Sequence, residues 1–148
     1  MAVRVQEQPF DFAAEAAAFA HGRSHIGAIV TFAGVVRDDT GDLRAMEIEH
    51  YPGMTASAIQ DMADQAVARW SLADVLVIHR HGRMEPGEMI MMVATAARHR
   101  GDAFAAAEFL MDYLKSRAPF WKKEITDQGA EWVAARDEDE AALGRWRA

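Results

Sequence analysis

The sequence predicts an α+β fold, with helices packed on a largely antiparallel sheet. Three observations point there. Helical apolar spacing alternates with short β-branched runs in the order α-β-β-α-β-β-α-β-β-α. Polar turns carrying Gly or Pro separate most of the strands. No internal repeat, low-complexity stretch or long linker divides the chain, so residues 1–148 read as a single domain. At 148 residues, 51% of them apolar, the chain is long enough to bury a real core.

Taken in order, Asp11 is placed to cap a short helix carrying Phe12, Ala16 and Phe19, which Gly22 closes. Ile26 to Val36 reads as a β-branched strand, with Gly34 marking a bulge or a close backbone approach. The polar turn Asp38-Asp39-Thr40-Gly41-Asp42 leads to a second strand, Leu43 to Tyr51, which Pro52-Gly53 breaks. Ile59, Met62, Ala66, Val67 and Trp70 recur at helical spacing within Met54 to Trp70. Val75 to His79 is a third strand and Met89 to Ala97 a fourth, paired like a hairpin through the turn Glu85-Pro86-Gly87-Glu88. Asp102 can cap a helix bearing Phe104, Ala107, Met111 and Leu114 that ends near Pro119. Phe120 to Ile125 and Trp132-Val133 are short strands around Gly129, and Ala134 to Trp146 is a final helix.

Composition excludes several classes of function. With no cysteine, the chain has no disulfide, no thiolate-held zinc or iron–sulfur cluster and no thiol nucleophile; sulfur chemistry here needs an external sulfur. No apolar run approaches the ~18 residues that span a bilayer, and Met1 to Gln8 lacks the marks of a secretory or transit segment, so a cytoplasmic protein is expected. The net charge is −7, yet it is unevenly spread. Residues 98–123 carry Arg98, Arg100, Lys115, Arg117, Lys122 and Lys123 against Asp102, Glu108 and Asp112, a net of +3 inside an acidic chain. Such an island is a candidate anion site, or simply the solvated face of a helix. Nucleic acid fits poorly, because the overall sign is wrong and the island is small.

Other constellations read as structure. His79 and His81 stand at i, i+2 on a strand with only Glu85 nearby, so hydrogen-bonded strand histidines are expected and no metal site. His21 and His25 lie in a loop. Met84, Met89, Met91 and Met92 suit an irregular core. Asp38, Asp39 and Asp42 have turn chemistry, and the acidic run from Asp137 to Glu140 suits a helix start. No phosphate-binding glycine loop or nucleophile elbow is present. The stretch Tyr113 to Glu124, YLKSRAPFWKKE, is different. Lys115 falls in the last turn of its helix, Pro119 forces the chain out, and Lys122 follows on the emerging segment. Two ammonium groups can thus converge across a proline corner and hold an oxyanion, although ordinary surface lysines explain the pattern nearly as well.

Met111 to Glu124, MDYLKSRAPFWKKE, resembles the most distinctive segment of the MoaE family, the large, catalytic subunits of molybdopterin synthase. VTFAGVVRD (Val30 to Asp38), EHYPGM (Glu49 to Met54), VIHRHG (Val77 to Gly82), the His99-Arg100 pair and WVAARDED (Trp132 to Asp139) follow in the right order. The likeness covers residues 26–146. It implies an α/β-hammerhead-like fold and a sulfurtransferase that makes the dithiolene of molybdopterin from cyclic pyranopterin monophosphate. The sulfur would come from the C-terminal Gly-Gly thiocarboxylate of a small ubiquitin-like carrier. No cofactor or metal is expected.

By this resemblance Lys115 and Lys122 are the catalytic residues. Arg37, His99 and Arg100 would bind the pterin phosphate, with Arg136 reaching the same pocket and Lys123 and Glu124 lining it. The resemblance also implies a homodimer with one carrier at each outer end, a heterotetramer, with contacts through the Met-rich hairpin or the Phe120-Trp121 corner. Val35 stands where some relatives would carry a lysine, the Asp38 to Asp42 loop is acidic, and residues 1–25 match only loosely. Two rivals remain: a non-enzymatic anion- or nucleotide-binding α+β module using Arg37, Arg100 and Lys122, and a scaffold that binds a ubiquitin-like tail without chemistry.

Overall fold

A computed structural model describes residues 1–133 and 137–147, with the backbone alone at 137 and 138. The elements in chain order are β1 (Ala2–Gln6), α1 (Phe12–Ala18), β2 (Ala28–Val35), β3 (Leu43–His50), α2 (Met54–Trp70), β4 (Asp74–Arg80), β5 (Gly82–Met84), β6 (Met89–Ala97), α3 (Arg100–Ser116), β7 (Phe120–Thr126), β8 (Gly129–Trp132), α4 (Asp137–Ala142) and a 3-10 turn (Leu143–Trp146). The expected α+β class holds, with the strands divided between two four-stranded sheets, β1-β4-β6-β2 and β5-β3-β7-β8. No described helix is long and apolar enough to cross a membrane.

β4 and β6 form the antiparallel pair at the centre of the first sheet, with His79 opposite Met91 and Asp74 opposite Ala96. Both are buried along almost their whole length, which is why they read as continuous apolar runs rather than alternating ones. One face of this sheet packs on α2 and α3 through Ile59, Met62, Ala66, Phe109, Leu110 and Leu114. The other face holds Leu76, Ile78, Met92 and Ala94 against Phe10, Phe12, Phe19 and Ile26. Three of the four hairpin methionines are core: Met84 and Met92 are fully buried and Met91 nearly so, while Met89 is half-buried.

Several boundaries differ for identifiable reasons. The N-terminal residues make an unanticipated parallel strand, β1, on β4, with Val3 opposite Val77. Its alternation is short and gives no hint of a distant parallel partner. Asp11 does cap α1, accepting from Ala14 N at 3.0 Å, but the helix ends at Ala18 rather than at Gly22. The β2–β6 register shifts at Gly34/Val35, as the glycine suggested. α3 begins at Arg100 with His99 in the cap position, so Asp102 sits in the first turn instead of capping it. Arg80, at the end of β4, is buried with its guanidinium on Glu88 (3.2 Å) and on the carbonyls of Glu7 and Met89, which ties β1 and the β6 start to β4.

Two glycines make a clean stability test. A Cβ on Gly27 would lie 2.2 Å from the Arg98 carbonyl oxygen, whereas one on Gly101 meets nothing within 4 Å. Gly27→Ala should cost about 1–3 kcal/mol because backbone must move. Gly101→Ala, inside a helix, should stabilise by about 0.4–1 kcal/mol. Urea midpoints at unchanged m-value measure both.

Candidate active site

The site is built where α3 runs into β7. Ala103, Ala106, Ala107, Phe109, Leu110 and Leu114 bury one face of α3, and the buried Thr95 hydroxyl on β6 donates to the Ala103 carbonyl at 2.7 Å. That packing fixes the last turn, which carries Lys115. Arg117 N closes the helix on the Tyr113 carbonyl at 2.7 Å, and Pro119 cannot continue it. The buried Thr55 hydroxyl, at the start of α2, donates to the Pro119 carbonyl (3.2 Å) and accepts from Tyr51 N (3.1 Å), so the corner is pinned by a neighbouring helix.

β7 then pairs with β3, with Phe120 opposite His50 and Lys122 opposite Ile48. A period of two puts Phe120, Lys122 and Glu124 on one face and Trp121, Lys123 and Ile125 on the other. Phe120 lies flat on His79 of β4, the ring centroids 3.7 Å apart and the planes 18° apart, so this contact joins the two sheets. The His79 Nδ1 is 2.8 Å from the Arg80 carbonyl oxygen, which can only accept, so Nδ1 carries the proton and Nε2 holds a lone pair. Burial above all, and then the charges of Lys122, Lys115 and His81, push the His79 imidazole down to about 3 against the opposing pull of that carbonyl. Both lysines therefore act on one buried ring. His81 stacks obliquely on His50 at 4.0 Å; burial and then His50 push His81 below its ordinary value, with Glu7 opposing. The His50 Nδ1 and the Ser116 hydroxyl are buried with no hydrogen-bond partner among the described residues.

The remaining expected site residues are scattered. Lys123 is on the face away from Lys122, 3.4 Å from Glu47 and over the Trp132 ring at 5.1 Å. Glu124 shares the Lys122 face and is exposed, opposite Met46 and Glu131. Arg37 is solvent-exposed beyond β2 and pairs with Asp39 of the acidic loop at 3.2 Å. His99 and Arg100 are exposed at the start of α3. Arg136 lies outside the described residues.

The layout of these groups follows from the sheet. β2 pairs with β6 from Ala28↔Ala97 to Val35↔Met89, a ladder about 24 Å long at 3.4 Å per residue. α3 leaves the Ala97 end and packs back across β6 and β2. Arg37, His79 and Lys115 thus lie at one end of the ladder, and His99 and Arg100 at the other. Sequence spacing shows Lys115 and Lys122 but not His79 or Phe120, because a ring stack between sheets has no local signal.

The chain is similar over nearly its whole length to known proteins. A profile described as MoaE protein matches residues 5–117. The chain belongs to the MoaE family. It is 69% identical over 146 residues to the molybdopterin synthase catalytic subunit of Cereibacter sphaeroides, covering 99% of this chain and 100% of that one. The catalytic subunit from Ralstonia nicotianae is 58% identical, over 97% of this chain and 83% of its own. Among solved structures, the MoaE protein of Burkholderia ambifaria superposes with a TM-score of 0.84 at 54% identity, covering 99% and 98% of the two chains. The molybdopterin synthase of Staphylococcus aureus does so at 0.81 and 26% identity, over 88% and 96%. The chain is accordingly an enzyme subunit of molybdenum cofactor biosynthesis, and the non-enzymatic module falls away.

His79 makes the fold acid-sensitive in a defined window. Its folded value is depressed from 6.5 to about 3, so the unfolded chain binds a proton that the folded one refuses. The associated stability is fully present above pH ~6.5 and falls by up to about 1.4 kcal/mol per pH unit down to pH ~3. Urea unfolding at pH 7 and pH 5 should show a smaller loss in His79→Phe than in the wild type.

Proposed function

We propose that the chain transfers sulfur from the C-terminal thiocarboxylate of a small ubiquitin-like carrier to cyclic pyranopterin monophosphate, at a site centred on Lys115 and Lys122. The observation that supports this best is the corner itself: the last turn of α3 carries Lys115, β7 carries Lys122 just past Pro119, and Phe120 at the start of β7 stacks on the buried His79 ring. A protein without cysteine has to receive its sulfur from outside, and the thiocarboxylate and the pterin phosphate are both anions suited to a local surplus of cations.

The carrier's sulfur bonds to a pterin carbon as that carbon's bond to oxygen breaks, the oxygen leaving on the ring-opened phosphate ester or as water, and water then attacks the acyl carbon. The tetrahedral oxyanion collapses with cleavage of the carbon–sulfur bond, leaving sulfur on the pterin and a carboxylate on the carrier. Lys115 stabilises that oxyanion, and Lys122 orients the tail or relays the proton lost by water. A protein–protein complex of subunits 1 and 2 of molybdopterin-converting factor from Helicobacter pylori has this fold, with a TM-score of 0.77 at 16% identity. A two-subunit assembly is our reading for this chain as well.

The phosphate ligands call for a second copy of the chain. Arg37 and the His99-Arg100 pair cannot meet within one chain when a ladder separates them. β2 is a sheet edge, and it exposes Ile29, Phe32 and Val35 at 48%, 41% and 47%, with Phe104 of α3 exposed nearby at 61%. Two-fold pairing along this edge covers that apolar surface and brings the His99-Arg100 end of one copy to the Arg37–Lys115 end of the other. We therefore read the protein as a homodimer whose two sites are each completed by the partner, with one carrier per site.

Two experiments test this reading. In a reconstituted reaction with thiocarboxylated carrier, Lys115→Ala should lose about 10²–10³-fold in rate while still binding carrier. Mixing refolded Lys115→Ala and Arg100→Ala chains should restore about a quarter of wild-type activity, because each mixed dimer holds one intact site. Absence of recovery, with mixed dimers present, would mean that both residues serve a site within one chain and would overturn the shared-site reading.

A further inference from the structure

One buried hydroxyl joins three elements at the corner between Lys115 and Lys122. Thr55 is completely buried, and Gly53 rather than Thr55 occupies the cap position of α2. The Thr55 hydroxyl accepts from Tyr51 N (3.1 Å) and donates to the Pro119 carbonyl (3.2 Å), while the Thr55 N–H donates to the Tyr51 carbonyl at 3.0 Å. The β3–β7 register makes this placement specific. His50 stands opposite Phe120, so Tyr51 and Pro119 are the next pair in the same register, one residue beyond each strand. Pro119 has no N–H to give, and the Thr55 hydroxyl serves the Tyr51 donor and the Pro119 acceptor together. The corner's own backbone bonds are short-range: Arg117 N and Ala118 N reach the Tyr113 carbonyl (2.7 and 3.3 Å), and Phe120 N reaches the Ala118 carbonyl (2.8 Å). These set its local shape, whereas the Thr55 bonds reference it to α2 and to the end of β3.

We propose that Thr55 is a positioning residue for sulfur transfer, its hydroxyl fixing where the Pro119 corner turns and hence how Lys115 and Lys122 stand relative to each other. The inference rests on the sulfur-transfer reading above and adds a residue to it. Lys115 lies four residues before Pro119 and Lys122 three after it, so a change in the direction of the corner swings one lysine-bearing element against the other. α3 is held along its buried face and β7 by its ladder to β3, which leaves the corner as the place where the angle between them is set. A hydroxyl suits this task because it donates and accepts at once. A methyl in its place would leave an amide N–H and a carbonyl facing an apolar group inside the protein. Because Thr55 is fully buried, bulk water does not compete for either bond.

The test uses the full chain with thiocarboxylated carrier and cyclic pyranopterin monophosphate, at a temperature where circular dichroism shows each variant folded. Thr55→Val keeps the shape and removes both hydroxyl bonds, whereas Thr55→Ser keeps the hydroxyl. Thr55→Val should lose about 10–100-fold in kcat, with KM for pterin and carrier within about twofold of wild type, as expected for misaimed groups. Thr55→Ser should recover most of that loss. Added to Lys115→Ala, Thr55→Val should cost less than about threefold more, because it acts through a lysine that is gone. Three results each overturn the positioning role and leave the function standing: wild-type kcat in folded Thr55→Val, a Thr55→Ser variant as slow as Thr55→Val, or an equal loss in the Lys115→Ala background. An inactive wild type, with carrier and pterin bound, overturns the function itself. Should Thr55→Val fail to fold, Thr55→Ala, which puts no γ-methyl against the two polar groups, is read by the same outcomes.

Discussion

Two strands with no exposed face, β4 and β6, constrain everything else in the molecule. Because both faces of this pair are apolar, α2 and α3 must cover one side and the α1 region the other. The chain leaving β6 has to turn straight into α3 to cover it, and α3 must end over the opposite end of the ladder. That delivers Lys115 beside the end of β4, where His79 stands. The second sheet is then anchored to the first by Phe120 lying on His79, and β7 carries Lys122 to the same place two residues later. The position of the two lysines is thus a consequence of core packing, with the Pro119 corner as the hinge between them.

Electrostatics give those lysines their weight. The chain is acidic overall, and two cations of its basic stretch are engaged locally, Lys123 with Glu47 and Arg117 with Glu140 at 2.7 Å, while outside that stretch Arg37 pairs with Asp39. Exposed pairs of this kind contribute little to stability and rearrange at little cost when an anionic ligand arrives. Lys115 makes no ion pair among the described residues. The acidic Asp38 to Asp42 loop beyond Arg37 works the other way, repelling anions that approach from outside the site.

Most of the fold was legible in the sequence, and the reasons for the exceptions are physical. α2 was readable to its ends because its apolar spacing and the Pro52-Gly53 break agree, and the structure ends it at Trp70 with Ser71 in the left-handed conformation. The strands β2, β3, β4 and β6 were readable from β-branched runs. β1 was not, since five residues with a parallel partner seventy positions away leave no local pattern. The division into two sheets was hidden for the same reason: it depends on which strands pair, and only β5, three residues long, marks the switch. In the site, the lysines and their proline corner were visible as spacing. The separation of Arg37 from His99-Arg100 was not, because it is set by strand register. His79 looks like an ordinary strand residue in the sequence, and its stack on Phe120 of the second sheet has no local signal.

The most direct measurement follows labelled sulfur through a single turnover. A carrier bearing an isotopically labelled thiocarboxylate is mixed with this chain and the cyclic pterin phosphate, and intact masses are read for carrier, chain and pterin. The account predicts that the label leaves the carrier, appears in the pterin and is never attached to the cysteine-free chain. Label that stays on the carrier despite bound pterin, or that is found covalently on this chain, would contradict it.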